Sequence, residues 1–347
     1  MQQPTYQAQG LKAAVLGGGS FGTVVANILA ENGFKVSLWM RNEDACSGIE
    51  NNGENEKYLP GVKLHPALSA TTDLADAVAD AAVIYYSVPS KSFRELVEKT
   101  QGLVQKEQIL VSTTKGIEPG TFNMMSDILR EVFPGNPLGV LSGPNLAKEI
   151  GQGQLAATVI ASKDKRVRDF VQQTLSYKHF RVYVNADMHG VELSGALKNI
   201  YAIITGMAAA LGFGENTRAM LITRSLAEMS RFAVSQGANP MTFLGLAGVG
   251  DLIATCVSPL SRNYRVGFAV GQGKSLEEAT DCLGEVAEGV NTLKYVYQRA
   301  KELGIYMPLV TALHGVLFEN LGIEHAVGAL MTGDHNTDVE FSLPRGA

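Results

Sequence analysis

The stretch "VLGGGSFG", residues 15–22, decides how the first half of this chain folds. It spaces Gly17, Gly19 and Gly22 as G-x-G-x-x-G, a pattern that means little alone and takes its meaning from its flanks. Before it, "KAAVLG" at 12–17 reads as a short buried strand; after it, "TVVANILAENG" at 23–33 reads as a helix closed by Gly33. In that setting the first glycine permits a tight turn, the second lets backbone approach a pyrophosphate, and the third lets helix pack on strand. Unpaired N–H groups and the helix dipole favour an anion at the helix start. The plainer reading is a glycine-rich turn that holds no ligand.

Outward from the turn, "KVSLWM" (35–40) reads as a second strand. Further strands are expected at 81–88, 108–114, 137–143 and 156–162, with helices between several of them. This alternation predicts an α/β fold: an N-terminal Rossmann-like, doubly wound and largely parallel sheet. A site preferring NAD(H) usually ends its second strand with Asp or Glu to hold the ribose 2′-hydroxyl. Here the strand ends "LWMRN", which puts Met40 and Arg41 at that point. No carboxylate repels a 2′-phosphate there, and an arginine can bind one, so NADP(H) is favoured. Glu43 and Asp44 close by leave NAD(H) open, and Arg41 also reads simply as an exposed arginine after a strand.

After Met188 the strand signals stop, and helical patterns run near 190–211, 217–236, 262–272, 286–303 and 308–321. The expected organisation is a disordered tail at 1–10, a dinucleotide-binding domain at 11–187 and a C-terminal all-α, substrate-binding domain at 188–347. With 347 residues, 46% hydrophobic and 18% charged, two domains are the default for a globular chain. The net charge of −5 comes without long runs of one sign, which argues against nucleic acid or anionic membrane as partner. Cys46, Cys256 and Cys282 lack zinc or redox spacing and read as free thiols of a cytoplasmic protein. The N-terminus does not resemble a signal peptide, and the apolar window 200–213 is too short and too rich in Gly and Ala to insert in a membrane. The six histidines include no i, i+4 ligand pair, so no metal is expected.

One lysine, Lys198, lies in the largely small and apolar run "VELSGALKNIYAIITGMAAALG" (191–212). On a helix, Leu193, Leu197, Ile200, Ile204, Met207 and Leu211 form an apolar stripe facing a core. Lys198 falls in another row with Ser194, Gly195, Ala202 and Thr205, whose small side chains suggest the floor of a cleft. Hydride delivery to a ketone leaves negative charge on oxygen, and a nearby proton donor stabilises it and completes the alcohol. Lysine serves if desolvation or a neighbouring cation, Lys115 or Arg262, eases loss of its proton. The plainer reading is a solvated lysine, weakened by the scarcity of charge between Leu193 and Gly214. In "LAGVGDLIATCVSPLSRNYRVG" (246–267), Asp251 can orient a lysine or a substrate hydroxyl. Ser261, Arg262 and Asn263 open an expected helix that can hold a phosphate dianion, or else form a capped surface helix with an exposed arginine.

Several segments together resemble the bacterial NAD(P)-dependent glycerol-3-phosphate dehydrogenase family: "GGGSFGT", "VPSKSFREL", "STTKGIE", "SGPNLAKEI", "ELSGALKNIYAI", "LAGVGDLIATC", "SRNYRVG" and "VAEGVNT". They follow one another in family order from residue 17 to 292. The resemblance implies reversible reduction of dihydroxyacetone phosphate to sn-glycerol 3-phosphate, feeding phospholipid synthesis. It implies cofactor contacts at Ser20, Phe21, Arg41, Ala147, Val286 and Glu288, beside the glycines of the turn. Lys115 matches a lysine between cofactor and substrate, Gly143 and Asn145 match substrate positions, and Lys198 matches the proton acceptor. Asp251, Ser261, Arg262 and Asn263 complete the implied substrate pocket, with Arg262 also near the cofactor. The family accepts Ser or Thr where this chain has Asn145, and its cofactor-side positions vary, so the likeness speaks to the reaction more than to NADPH against NADH. Two other readings stay open: a two-domain reductase of the β-hydroxyacid or ketopantoate type, and a regulator that senses NADPH without turnover. The oligomeric state is also open, a homodimer included.

Overall fold

The structure, a computed structural model, describes residues 10–281 and 287–332. The expectations for residues 1–9, Cys282, Val286 and His335 lie outside the described residues. The chain divides into two compact units between Glu192 and Leu193.

The first unit carries strands β1 Lys12–Leu16, β2 Lys35–Trp39, β3 Leu68–Thr71, β4 Ala81–Tyr86, β5 Ile109–Ser112, β6 Leu138–Ser142, β7 Ala156–Ala161 and β8 Phe180–Asn185. Its helices are α1 Ser20–Glu31, α2 Glu43–Asn52, α3 Leu74–Val78, α4 Phe93–Lys99, α5 Met125–Val132, α6 Ala147–Gly151 and α7 Lys165–Leu175. The strands form one sheet in the order β3-β2-β1-β4-β5-β6-β7-β8, parallel throughout except between β6 and β7. Strands covered by helices on both faces read as continuous apolar runs, as β4 "AAVIYY" and β7 "AATVIA" do. Ala13 and Val15 of β1, with Val83 and Tyr85 of β4, pack against α1, α2, α6 and α7. Their neighbours Ala14, Leu16, Ile84 and Tyr86 pack against α3, α4 and α5 on the other face.

The second unit is helical among its described residues: α8 Met188–Ala210, which begins in the first unit, then α9 Glu215–Ser235, α10 Asp251–Val257, α11 Arg262–Gly271, α12 Leu276–Asp281, α13 Glu288–Leu303, α14 Pro308–Phe318 and α15 Ile323–Thr332. Helix α8 corrects the expected one-sided stripe, because it is enclosed all round: every residue from Val191 to Ile203 is buried, whereas Leu211 of the stripe is exposed. A helix apolar on every side belongs in a core. Close approach of the two helices explains Gly206 of α8 and Gly267 of α11. A Cβ at Gly267 would lie 1.9 Å from the Ile203 carbonyl, and one at Gly206 would lie 2.1 Å from that of Tyr264.

Two buried carboxylates close helix starts by accepting from backbone N–H donors. Glu192 accepts from the Ser126 N–H at 2.9 Å and the Ser126 hydroxyl at 2.5 Å, on the first turn of α5. Glu228 of α9 accepts from the N–H groups of Leu309 and Val310 at 2.7 and 3.3 Å, at the start of α14, and from the Tyr201 hydroxyl at 3.0 Å. Burial pushes both carboxyls up to about 7. A carboxyl raised in the folded state contributes stability that is fully present below its unfolded value and is lost as pH rises through the folded one. The unfolding free energy of the native chain relative to a Glu228→Gln variant is therefore expected to fall between about pH 5 and pH 8. Urea titrations at several pH values read this, and a gap that stays constant across the range would show that Glu228 titrates like an exposed carboxyl.

Candidate active site

In the first unit β1 ends in a turn that only bare backbone fits. Gly17 adopts φ +127°, and a Cβ there would lie 2.3 Å from the Ser87 carbonyl; a Cβ at Gly22 would lie 2.0 Å from the Gly17 carbonyl. Gly19 faces open space and caps α1 without a side-chain hydrogen bond, which leaves the first N–H groups of α1, from Ser20 and Phe21 onward, for an outside acceptor. This is the arrangement a pyrophosphate requires, so the residues present fit a dinucleotide. Met40 is buried against Gly18, while Arg41, the next residue, is exposed and is followed by Glu43 and Asp44 in the first turn of α2.

A second cluster forms where β5 and β6 end. The Lys115 ammonium donates to the Gly143 carbonyl at 3.0 Å. Gly143 has φ +147° and lies close to Thr158. The Asn145 amide donates to the Thr158 hydroxyl at 3.0 Å, while its Oδ1 is buried with no hydrogen-bond partner among the described residues. A buried acceptor left unpaired costs free energy, and a ligand hydroxyl or N–H relieves it. Ala147 opens α6 two residues further on. The structure thus groups Lys115, Gly143 and Asn145.

In the second unit α8 clasps the segment 246–257. Ser194 donates to the Ala247 carbonyl at 2.7 Å, and Thr205 donates to that of Cys256 at 3.0 Å. Between them the Lys198 ammonium meets the Asp251 carboxylate and the Thr255 hydroxyl, the latter at 2.6 Å. Lys198 is 6% exposed and Asp251 1%. Within the second unit the small-residue row packs against the segment 246–257, because those side chains admit another helix. The charge in contact with Lys198 is the carboxylate of Asp251, where the sequence reading looks to a neighbouring cation. Asp251 arrives there through a five-residue π-helix, Leu246–Gly250, in which a Cβ at Gly248 would lie 2.3 Å from backbone of Phe243. Such wide turns recur at functional sites. Burial pushes the neighbouring Cys256 thiol up to about 12, which keeps it protonated and inert.

Ser261 caps α11 by accepting from the Tyr264 N–H, and Asn263 accepts through Oδ1 from the Gly289 N–H at 3.0 Å. Both are buried, whereas Arg262 between them is exposed. Asn263 thereby ties the start of α11 to the start of α13, where Glu288 lies. Sequence reasoning missed two further groups. Thr255 sits one helical turn after Asp251, a spacing visible in the residues themselves. Asn55 is buried in a loop and donates to the Gly18 carbonyl at 2.9 Å and the Thr23 hydroxyl at 2.8 Å, pinning the glycine turn from behind. Among the described residues no cluster of three or more His, Cys, Asp or Glu side chains is placed to hold a metal, and no helix is long and apolar enough to cross a membrane.

The chain matches two family profiles: NAD-dependent glycerol-3-phosphate dehydrogenase N-terminus over residues 12–168, and NAD-dependent glycerol-3-phosphate dehydrogenase C-terminus over residues 187–328. It is 58% identical to a glycerol-3-phosphate dehydrogenase [NAD(P)+] of Pseudomonas fluorescens, covering 96% of this chain and 97% of that one. A relative of the same name from Teredinibacter turnerae is also 58% identical, covering 95% of this chain and 97% of its own. The crystal structure of glycerol-3-phosphate dehydrogenase from Coxiella burnetii superposes with a TM-score of 0.89 at 36% identity, over 93% of this chain and 99% of that one. A ketopantoate reductase from Ralstonia eutropha superposes with a TM-score of 0.58 at 17% identity, over 88% of this chain and 97% of that one, a likeness of fold alone.

Breaking a buried ion pair from one side leaves an uncompensated charge, whereas replacing both partners with apolar groups is often neutral. Asp251→Leu is expected to destabilise the chain by about 3–5 kcal/mol, and Lys198→Met/Asp251→Leu to recover most of that. Denaturant unfolding measures both. Equal losses in the single and double variants would mean that the pair is not held as a unit.

Proposed function

This chain belongs to the NAD-dependent glycerol-3-phosphate dehydrogenase family, and on that premise we propose how its residues divide the work. The chain catalyses the reversible NAD(P)H-dependent reduction of dihydroxyacetone phosphate to sn-glycerol 3-phosphate, which supplies glycerophospholipid synthesis. We assign nucleotide binding to residues 11–187, substrate binding to residues 188–347, and the protein to the cytoplasm, a reading supported by its buried free thiols Cys46 and Cys256.

A nicotinamide cofactor, when bound, would supply the hydride. Backbone N–H groups of Ser20 and Phe21, exposed by Gly17, Gly19 and Gly22, would hold its pyrophosphate, and Arg41 would hold the 2′-phosphate, which would make NADPH the preferred form. Ala147, Glu288 and Val286 serve the cofactor side. Lys115 and Arg262 serve both ligands, while Gly143, Asn145, Ser261 and Asn263 hold the substrate. Lys198 gives its proton to the oxygen that becomes the new hydroxyl and takes it back in the reverse direction. Asp251 and Thr255 aim the ammonium, so that it is in place before the oxyanion develops. The observation that carries this assignment is a lysine buried in an apolar helix and met there by a carboxylate and a hydroxyl.

Consumption of NADPH or NADH with dihydroxyacetone phosphate, followed by absorbance, tests the activity, with unphosphorylated dihydroxyacetone as the poor substrate. In Lys198→Met, single-turnover reduction is expected to slow by roughly 10²–10⁴-fold on protein that melting curves and nucleotide titration show to be folded and loaded. Near-normal single-turnover rates would remove Lys198 from the chemistry. Arg41→Ala is expected to weaken NADPH by roughly 10- to 100-fold, the worth of a charged hydrogen bond, and NADH far less. Parallel losses for the two nucleotides would show that Arg41 does not read the 2′-phosphate.

A further inference from the structure

Two of the motifs that mark the family, "VPSKSFREL" and "STTKGIE", contain a pair of charged residues, Arg94 and Glu118, that the reaction leaves unused. The fold brings them together. Arg94, the second residue of α4, binds Glu118 side-on, through Nε to one carboxylate oxygen and through Nη2 to the other at 3.2 Å. Its outer edge takes exposed Glu131 at 2.9 and 3.1 Å. Glu118 is 8% exposed and also accepts from the Thr121 hydroxyl at 2.5 Å and the Asn123 amide at 3.1 Å. One carboxylate therefore organises the loop 118–123. Three residues upstream stands Lys115. On its other flank, Thr113 bonds Ser87 at 2.9 Å and Thr114 bonds the Val88 carbonyl at 2.7 Å. Both sides of Lys115 are thus fastened to the single segment that leaves β4.

We propose that the Arg94–Glu118 pair is a positioning latch that holds the Lys115 ammonium in its working place. Fork-to-carboxylate pairing fixes direction as well as distance, which a point charge cannot do. A displacement of about 1 Å at a reacting group can cost 10²-fold in rate. The proposal rests on the assignment of Lys115 to the two ligands, and a double-mutant cycle separates the two claims.

The cycle compares the native chain, Lys115→Met, Glu118→Gln and the double variant by kcat/KM for dihydroxyacetone phosphate. Glu118→Gln is expected to lose roughly 10- to 100-fold, and the double variant to be no slower than Lys115→Met alone. Glu131→Gln, which breaks only the outer pairing, is expected to match the native rate, and Arg94→Lys, which keeps the cation without the fork, to fall between. A near-native Glu118→Gln rate overturns the latch, as does a double variant whose loss is the product of the two single losses. A Lys115→Met protein of native activity overturns the Lys115 assignment, and the latch with it, whatever Glu118→Gln does. Should melting curves show Glu118→Gln unfolded, Arg94→Gln, made from the solvent side, runs the same cycle with the same expectations.

Discussion

An ammonium cannot stay in a protein interior unless an anion and polar acceptors meet it, and the second unit is arranged around that requirement at Lys198. Helix α8 is enclosed on every side, so the lysine has no water-facing row to occupy. Asp251 must be brought to it by another element. The π-helix at Leu246–Gly250 does so, Gly248 letting the chain pass against the backbone of Phe243, and Thr255 follows one turn later. Such a pair is a poor source of stability, because well-packed apolar groups of the same volume would serve as well or better. Its place in the molecule is therefore not explained by stability.

The first unit is governed by a different restriction, the crowding of backbone at the glycine turn. Ser87 stands against Gly17 on one side and pairs with Thr113, next to the Lys115 loop, on the other. The exit of β4 is therefore a shared support: the glycine turn rests on it, and the loop bearing Lys115 is fastened to it. Asn55 braces the same turn from the opposite direction.

Much of this was legible in the residues, for identifiable reasons. Doubly covered parallel strands are apolar runs, so β1, β2, β4, β5, β6 and β7 stood out. Strand β3, "LSAT", is too short to show a period. Strand β8, "FRVYVN", does alternate, with Phe180 and Val182 buried and Arg181 and Tyr183 exposed, and could have been read. Lys198 was visible because charge is scarce around it. The stripe drawn on α8 misled because a fully enclosed helix has no preferred face. Ser261 turned out to use its hydroxyl in capping α11, as the plainer reading allowed. Asn55 was out of reach: its partners lie 37 and 32 residues away, and nothing local marks a loop asparagine as buried.

At the end of β2, two adjacent residues do separate jobs. Met40 fills the space beside Gly18, and its N–H is held by the Thr71 carbonyl at 2.9 Å, so its identity is tied to the architecture of the turn. Arg41 projects outward and is exposed. Selection can therefore rewrite position 41 without disturbing the packing one residue earlier. Position 41 is thus a variable point mounted on a rigid frame. Side-chain chemistry at the end of β2 can change while the turn itself stands still.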